Sequence, residues 1–257
     1  MRTRTHSRLE VLAAAILFST GGAAIKACSL DGWQIAGFRS ALGALTLLLL
    51  IPGARRNWSW RTGVVGLAYA ATLFLYVQAN KHTTAANAIF LQSTAPLYLL
   101  LISPLLLRER IRRADLLTMG MLGAGLALFF AGHEAPQATA PDPALGNVFA
   151  ALSGLCWALC VAGLRWLARS EGLEGGEAAG AAAGAAVVGN LIVFAACLPK
   201  SLPVGAVGVS DVAAIAYLGI FQIGLAYVFM TRGVRGVPAM EATLLLLLEP
   251  VLNTVWA

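Results

Sequence analysis

Long apolar runs separated by charged, proline or glycine punctuation dominate the chain. They lie at 9–25, 33–51, 62–79, 85–107, 114–131, 145–167, 178–198, 211–230 and 239–257. A helix crossing about 30 Å of hydrocarbon needs roughly 20 apolar residues, so the pattern predicts nine transmembrane helices. Their connections are short, which makes successive spans antiparallel. The longest polar stretch, 133–143, leaves no room for a large water-soluble domain.

Composition agrees with lipid as the solvent. Of the 257 residues, 59% are hydrophobic and only 12% are charged, against about 25% charged in a soluble domain. The formal charge of +6 raises the question of nucleic acid, and loop parity answers it. Arg2, Arg4, Arg8, Arg55, Arg56, Arg61, Arg108, Arg110, Arg112, Arg113, Arg165, Arg169, Arg232 and Arg235 fall at one set of span ends, whereas Lys26, Lys81 and Lys200 fall at the other. The positive-inside rule accounts for this asymmetry and predicts a cytoplasmic N-terminus. No basic patch with interleaved aromatics remains for nucleic acid. The first run has the basic start of a signal peptide, but Lys26 spoils a cleavage site before Cys28 and its removal would break the symmetry described next, so it is read as a retained span.

That symmetry is a repeat. Lys81-His82-Thr83-Thr84-Ala85-Ala86-Asn87-Ala88 aligns with Arg235-Gly236-Val237-Pro238-Ala239-Met240-Glu241-Ala242 at a shift of 154 residues, and the same shift carries Pro96 onto Pro250. Parity places Lys81 outside and Arg235 inside, so the copies enter the membrane from opposite faces. Five spans per copy produce such an inversion, which predicts ten helices where nine are found. The expected organisation is a first repeat over 1–132, a polar loop over 133–144 and an incomplete four-helix second repeat over 145–257. On this expectation the chain is a fragment that lacks the tenth helix.

These segments, with Gly32-Trp33-Gln34-Ile35-Ala36-Gly37-Phe38-Arg39, the stretch from Leu91 to Pro96, Leu106-Leu107-Arg108-Glu109-Arg110 and Leu246-Leu247-Leu248-Glu249-Pro250-Val251, resemble the drug/metabolite transporter superfamily and, within it, the EamA-type ten-helix permeases. The resemblance implies an all-α polytopic inner-membrane carrier, often an exporter of small metabolites, with a cavity between two inverted five-helix repeats.

A charge near the bilayer centre costs about 2.5 to 3.5 kcal/mol on insertion scales, so each one needs a reason. Glu249 lies ten residues past Ala239, roughly 15 Å into its span, which makes it the leading candidate for binding a cationic group or cycling a coupling proton; bracing the break at Pro250 is the structural alternative. Arg39, roughly 9 Å inside span two, can meet a substrate carboxylate, pair with Glu249, snorkel or bond a neighbouring carbonyl. Pro96 and Pro250 each remove a backbone donor at matched depths and predict kinks or gates at the cavity. Tyr76, Gln78, Gln92, Trp157, Asn190, Gln222 and Tyr227 are polar or aromatic at comparable depths and are candidates for a pocket that takes amines, amino acids or planar molecules; interhelical bonding is the alternative for each. Glu241 reads as an interfacial charge at a helix N-terminus. Gly180, Ala181, Ala182, Ala183 and Gly184, and Gly120, Gly123 and Ala127, read as close-packing faces, within one subunit or in a homodimer.

Cys156 and Cys160 share a helix face, but no histidine accompanies them, so no metal set is expected. Neither a dinucleotide nor a Walker-type fingerprint is present, and no cofactor is expected. The reading is therefore a secondary active transporter embedded in a lipid bilayer, a multi-pass protein of the bacterial inner membrane moving a small-molecule substrate by efflux. A non-transporting scaffold is the first alternative, and an intramembrane enzyme is a weaker one.

Overall fold

In hydrocarbon every backbone N–H and C=O must be satisfied within the segment, which leaves the helix as the solution for each apolar run. The computed structural model describes residues 4–56, 58–106, 116–117, 120–121, 123–125, 135–205, 207–234, 236–237, 239–246 and 248–256. Among them, seven helices are long and apolar enough to cross a membrane: Arg4–Ala27, Gly32–Leu50, Trp60–His82, Ala85–Ile102, Pro143–Glu171, Gly175–Ser201 and Val209–Gly233. The predicted ninth span is described as helix over Ala239–Leu246 and Leu248–Trp256. Most of the predicted fifth span, with the Arg108-Glu109-Arg110 turn, Ala127, Arg235 and Pro238, lies outside the described residues.

In chain order the elements are α1 (Arg4–Ser19), α2 (Gly21–Ala27), α3 (Gly32–Leu50), α4 (Trp60–His82), α5 (Ala85–Gln92), α6 (Ala95–Leu106), α7 (Pro143–Glu171) and α8 (Gly175–Ser201). Then come α9 (Val209–Ala216), a π-helical segment Tyr217–Leu225, α10 (Ala226–Gly233), α11 (Ala239–Leu246) and α12 (Leu248–Trp256). Polar residues at the boundaries set the starts. Asp31 accepts from the Trp33 and Gln34 amides at 2.8 and 2.9 Å, and the Gln34 side chain accepts from the Asp31 amide at 3.3 Å, a reciprocal cap. Ser59, Thr84 and Asp142 cap α4, α5 and α7. Gly172, at φ 63°, ends α7 in the left-handed conformation that a side chain disfavours.

Contacts between helices give the directions. Arg61 pairs with Glu171 at one end of α4 and α7, while the Asp142 amide donates to the His82 carbonyl at the other, so these helices are antiparallel. Gly37 faces Cys197 and Gly53 faces Gly180, which makes α3 and α8 antiparallel. Ser7 and Val11 meet Gly233, and Thr20 bonds Tyr217 at 2.8 Å, so the first span opposes the eighth. Each arrangement has a partner with the halves exchanged. Span three packs on span six as span one packs on span eight; span four packs on span six as span nine packs on span one. Corresponding helices run in opposite directions, and the halves interlock instead of sitting side by side. The architecture is an all-helical membrane fold of two inverted repeats.

Small residues permit that interlocking. A side chain at Gly154 would stand 3.0 Å from the Gln92 carbonyl oxygen, and one at Gly189 would stand 2.7 Å from the Gly66 oxygen. Gly180 and Gly184 pack within the chain, against Gly53 and against Ala54 and Trp58, which answers where that face goes. Side chains added at Gly120 or Gly123 would meet no described residue within 4 Å. Leu45, Leu49, Val64, Leu67, Phe90 and Leu101 are exposed on the outside while Arg39, Asn80 and Asn190 are buried inside, the inverse of a protein solvated by water.

Candidate functional site

The interlocked halves enclose a cavity of about 340 Å³. Span three contributes a stripe, Tyr69, Thr72, Leu73 and Tyr76, at the three- and four-residue spacing of one helix face. Arg39 enters from α3, Trp157 from α7, and Gln222 and Tyr227 from the eighth span. The two proline-bearing spans close it, with Gln92, Ala95 and Pro96 on one and Leu246, Glu249 and Pro250 on the other.

Arg39 is only 1% exposed, and it does not snorkel. Its Nη2 donates to the Leu73 carbonyl at 3.2 Å, and its Nε has no hydrogen-bond partner among the described residues. Glu249 lines the same cavity, and among the described residues it forms no ion pair, with Arg39 or with any other base. The pairing that the sequence allowed between them is absent. A guanidinium and a carboxyl thus share one aromatic cavity without neutralising each other. Glu241 does find partners: Arg4 at 2.7 Å and Arg8, which tie the start of α11 to the first span.

Gln92 Nε2 donates to Ser153 Oγ at 2.8 Å, and that hydroxyl donates onward to the Thr72 carbonyl at 3.1 Å. The amide is therefore fixed between three spans, a role that combines lining with bracing. The first proline site goes beyond the predicted kink. The helix stops at Gln92 and restarts at Ala95, with Thr94 Oγ1 donating to the Leu91 carbonyl at 2.6 Å across the gap. Pro96 then occupies the first turn of α6, where a missing N–H leaves no bond unmade. Tyr76 links the repeats, accepting at its hydroxyl from Asn253 Nδ2 at 3.3 Å.

Two of the expected lining residues are elsewhere. Gln78 follows Tyr76 by two residues, about 200° around the helix, and faces the Gly32 backbone. Asn190 lies on α8, bonded to its own helix through the Ala186 carbonyl at 2.9 Å, and is not in the cavity wall. Conversely, Tyr69 was not singled out by sequence. It stands at the centre of an aromatic group, with centroids 6.3 Å from Trp157 and 5.9 Å from Tyr227, and Tyr227 meets Phe18 edge-on at 5.7 Å. Its seven-residue spacing from Tyr76 was the available signal. The π-helical segment was also unforeseen. Its wider winding carries Gln222 and Tyr227, five residues apart, to the same cavity.

Trp33, Trp58 and Trp60 sit at span ends as anchors should. Lys200 lies 4.3 Å from the Trp33 ring centroid, Trp58 donates to the Ala54 carbonyl at 2.7 Å, and Trp60 packs on Trp166. Cys28, Cys156, Cys160 and Cys197 are free thiols, and among the described residues no group of three or more His, Cys, Asp or Glu is placed to hold a metal ion.

The model of the EamA-like transporter family matches residues 9–131 and again residues 144–257. The chain belongs to the EamA-like transporter family. Two relatives of this EamA-like protein, the pseudopaline exporter CntI from two strains of Pseudomonas aeruginosa, are each 34% identical over 152 residues, covering 56% of this chain and 53% of theirs. The chain therefore spans about half the length of the curated relatives it matches. A solved crystal structure superposes on this EamA-like fold with a TM-score of 0.64 at 23% identity, covering 99% of this chain and 89% of the other. Family and architecture together make this a multi-pass membrane protein of a transporter family, whose members handle small molecules within the membrane.

Proposed function

We propose that the protein is a secondary active transporter that exports small zwitterions, amino acids or related compounds, by alternating access between its inverted repeats. The observation that carries this reading is the unpaired presence of Arg39 and Glu249 in one cavity walled by tyrosine and tryptophan. A substrate carboxylate accepts from the Arg39 guanidinium, the fork geometry suited to it. The substrate ammonium is held by Glu249, and its apolar body by the rings of Tyr69, Tyr76 and Trp157. Repeats 1–132 and 145–257, joined by the loop 133–144, rock about this site, with the chain in the bacterial inner membrane and its N-terminus cytoplasmic. The exporter among its relatives supports the outward direction.

Glu249 supplies the coupling. A carboxyl that gains a proton releases the ammonium it held, so proton and substrate compete for one oxygen pair and cross in opposite directions. No ATP-binding motif is needed for such a cycle. The test is uptake of radiolabelled amino acids into inside-out vesicles carrying the protein. Accumulation driven by an imposed pH gradient is expected, with reciprocal proton movement, and vesicles in which no amino acid moves at any gradient overturn the reading.

A further inference from the structure

A second cavity, of about 150 Å³, adjoins the central one and shares four wall residues with it, Tyr69, Trp157, Tyr227 and Met230. Three of these are rings, with Tyr69 packed against both Trp157 and Tyr227, so they form a partition that side-chain rotation can open. Beyond the rings the wall changes character. Ala179, Ala182 and Ala186 project methyl groups from one face of α8 at three- and seven-residue spacing, and Cys160 and Leu164 of α7 close the far side. Among the described residues no acidic or basic side chain lines it. An apolar cavity of about 150 Å³ accepts a benzene-sized guest, and this one shares a wall with the chamber that holds the charged groups.

We infer that this alanine-walled cavity is the subsite for the apolar side chain of the carried zwitterion, with Ala182 and Leu164 setting the largest side chain admitted. The inference rests on the zwitterion reading above. The charged ends remain at Arg39 and Glu249, while a branched or single-ring side chain passes between Tyr69 and Tyr227 into the pocket. Affinity then comes from filling a space the fold leaves empty, and discrimination comes from volume. Short side chains do not reach the pocket and are indifferent to its size.

The full chain in proteoliposomes, offered alanine, leucine, phenylalanine and tryptophan, tests this. Ala182→Leu fills the pocket and is expected to lower leucine and phenylalanine transport by about 10-fold or more, with alanine transport within about two-fold of the parent. Leu164→Ala enlarges it and is expected to raise tryptophan transport relative to phenylalanine by about 10-fold; this variant decides the matter if Ala182→Leu does not insert. An equal loss for all four substrates in the filled variant, or unchanged ratios in both variants, overturns the inference. A parent protein that carries none of the four overturns the zwitterion reading and this inference with it, an outcome distinct from transport without size selection.

Discussion

At the shift of 154 residues, Gln92, Ala95 and Pro96 at the break between α5 and α6 correspond to Leu246, Glu249 and Pro250 in the ninth span, and all six line one cavity. The position of the proline is common to both halves: each stands at the cavity, and in the first half the helix stops at Gln92 and restarts at Ala95. The chemistry is not. In the first half the polar group precedes the gap, and Gln92 is tied to Ser153 and through it to α4. In the second half it directly precedes Pro250, as a carboxyl with no base paired to it among the described residues. Duplication thus supplies the placement twice, and the side chains laid on it differ: a hydrogen-bonded amide in one half, and in the other a carboxyl that the proposed exchange of proton for substrate requires. A fully symmetric pair would bind, but it would have no single group on which a proton and a substrate compete.

The largest expected effect is at the side where the halves differ most. Glu249→Gln keeps shape and removes the titrating group, so gradient-driven accumulation should fall on the order of 100-fold while downhill exchange and membrane expression persist. Flux measured with and without a pH gradient checks this. Next is Arg39→Ala, which removes the charged donor for a substrate carboxylate and should raise the half-saturating substrate concentration about 10- to 100-fold. Arg39→Lys should fall between, because it keeps the charge and loses the planar fork.

The brace is tested by crowding it. Gly154→Val places a branched side chain where even a Cβ would stand 3.0 Å from the Gln92 carbonyl oxygen and 3.1 Å from that of Leu91. The expected cost is about 1 to 3 kcal/mol of stability, read as a lower melting temperature in detergent, with a several-fold smaller loss of transport than Glu249→Gln gives. The smallest effects belong to Gln78→Leu and Asn190→Leu. Gln78 Nε2 and Asn190 Oδ1 have no hydrogen-bond partner among the described residues, and both side chains lie off the cavity, so transport should change by about two-fold or less.

Some of this was legible in the sequence, for physical reasons. Span positions follow from the length of hydrocarbon a helix must cross, and Glu249 stands out because an isolated carboxyl in an apolar run is costly. The paired prolines were visible because the repeat aligns without a gap. Rotational phase was not. In a helix apolar on every side, depth can be read from the sequence but facing cannot, which is why Gln78 was expected in the wall and Tyr69 was not. The complete break at Ser93-Thr94 was hidden too, since Thr94 satisfies a freed carbonyl with its own hydroxyl and leaves no signature beyond an ordinary threonine. The π-helical winding that brings Gln222 and Tyr227 to one cavity likewise has no composition signal.

The central claim, a solvated cavity between the halves that opens to each side in turn, is tested most directly by thiol labelling at Ser93→Cys in the wall, with Cys28, Cys156, Cys160 and Cys197 replaced by alanine. A charged, membrane-impermeant maleimide applied to right-side-out and to inside-out vesicles should label this cysteine from both faces, and saturating substrate should slow both reactions. Labelling by a lipid-soluble reagent alone, at a rate unaffected by substrate, would place the residue against acyl chains and contradict the claim.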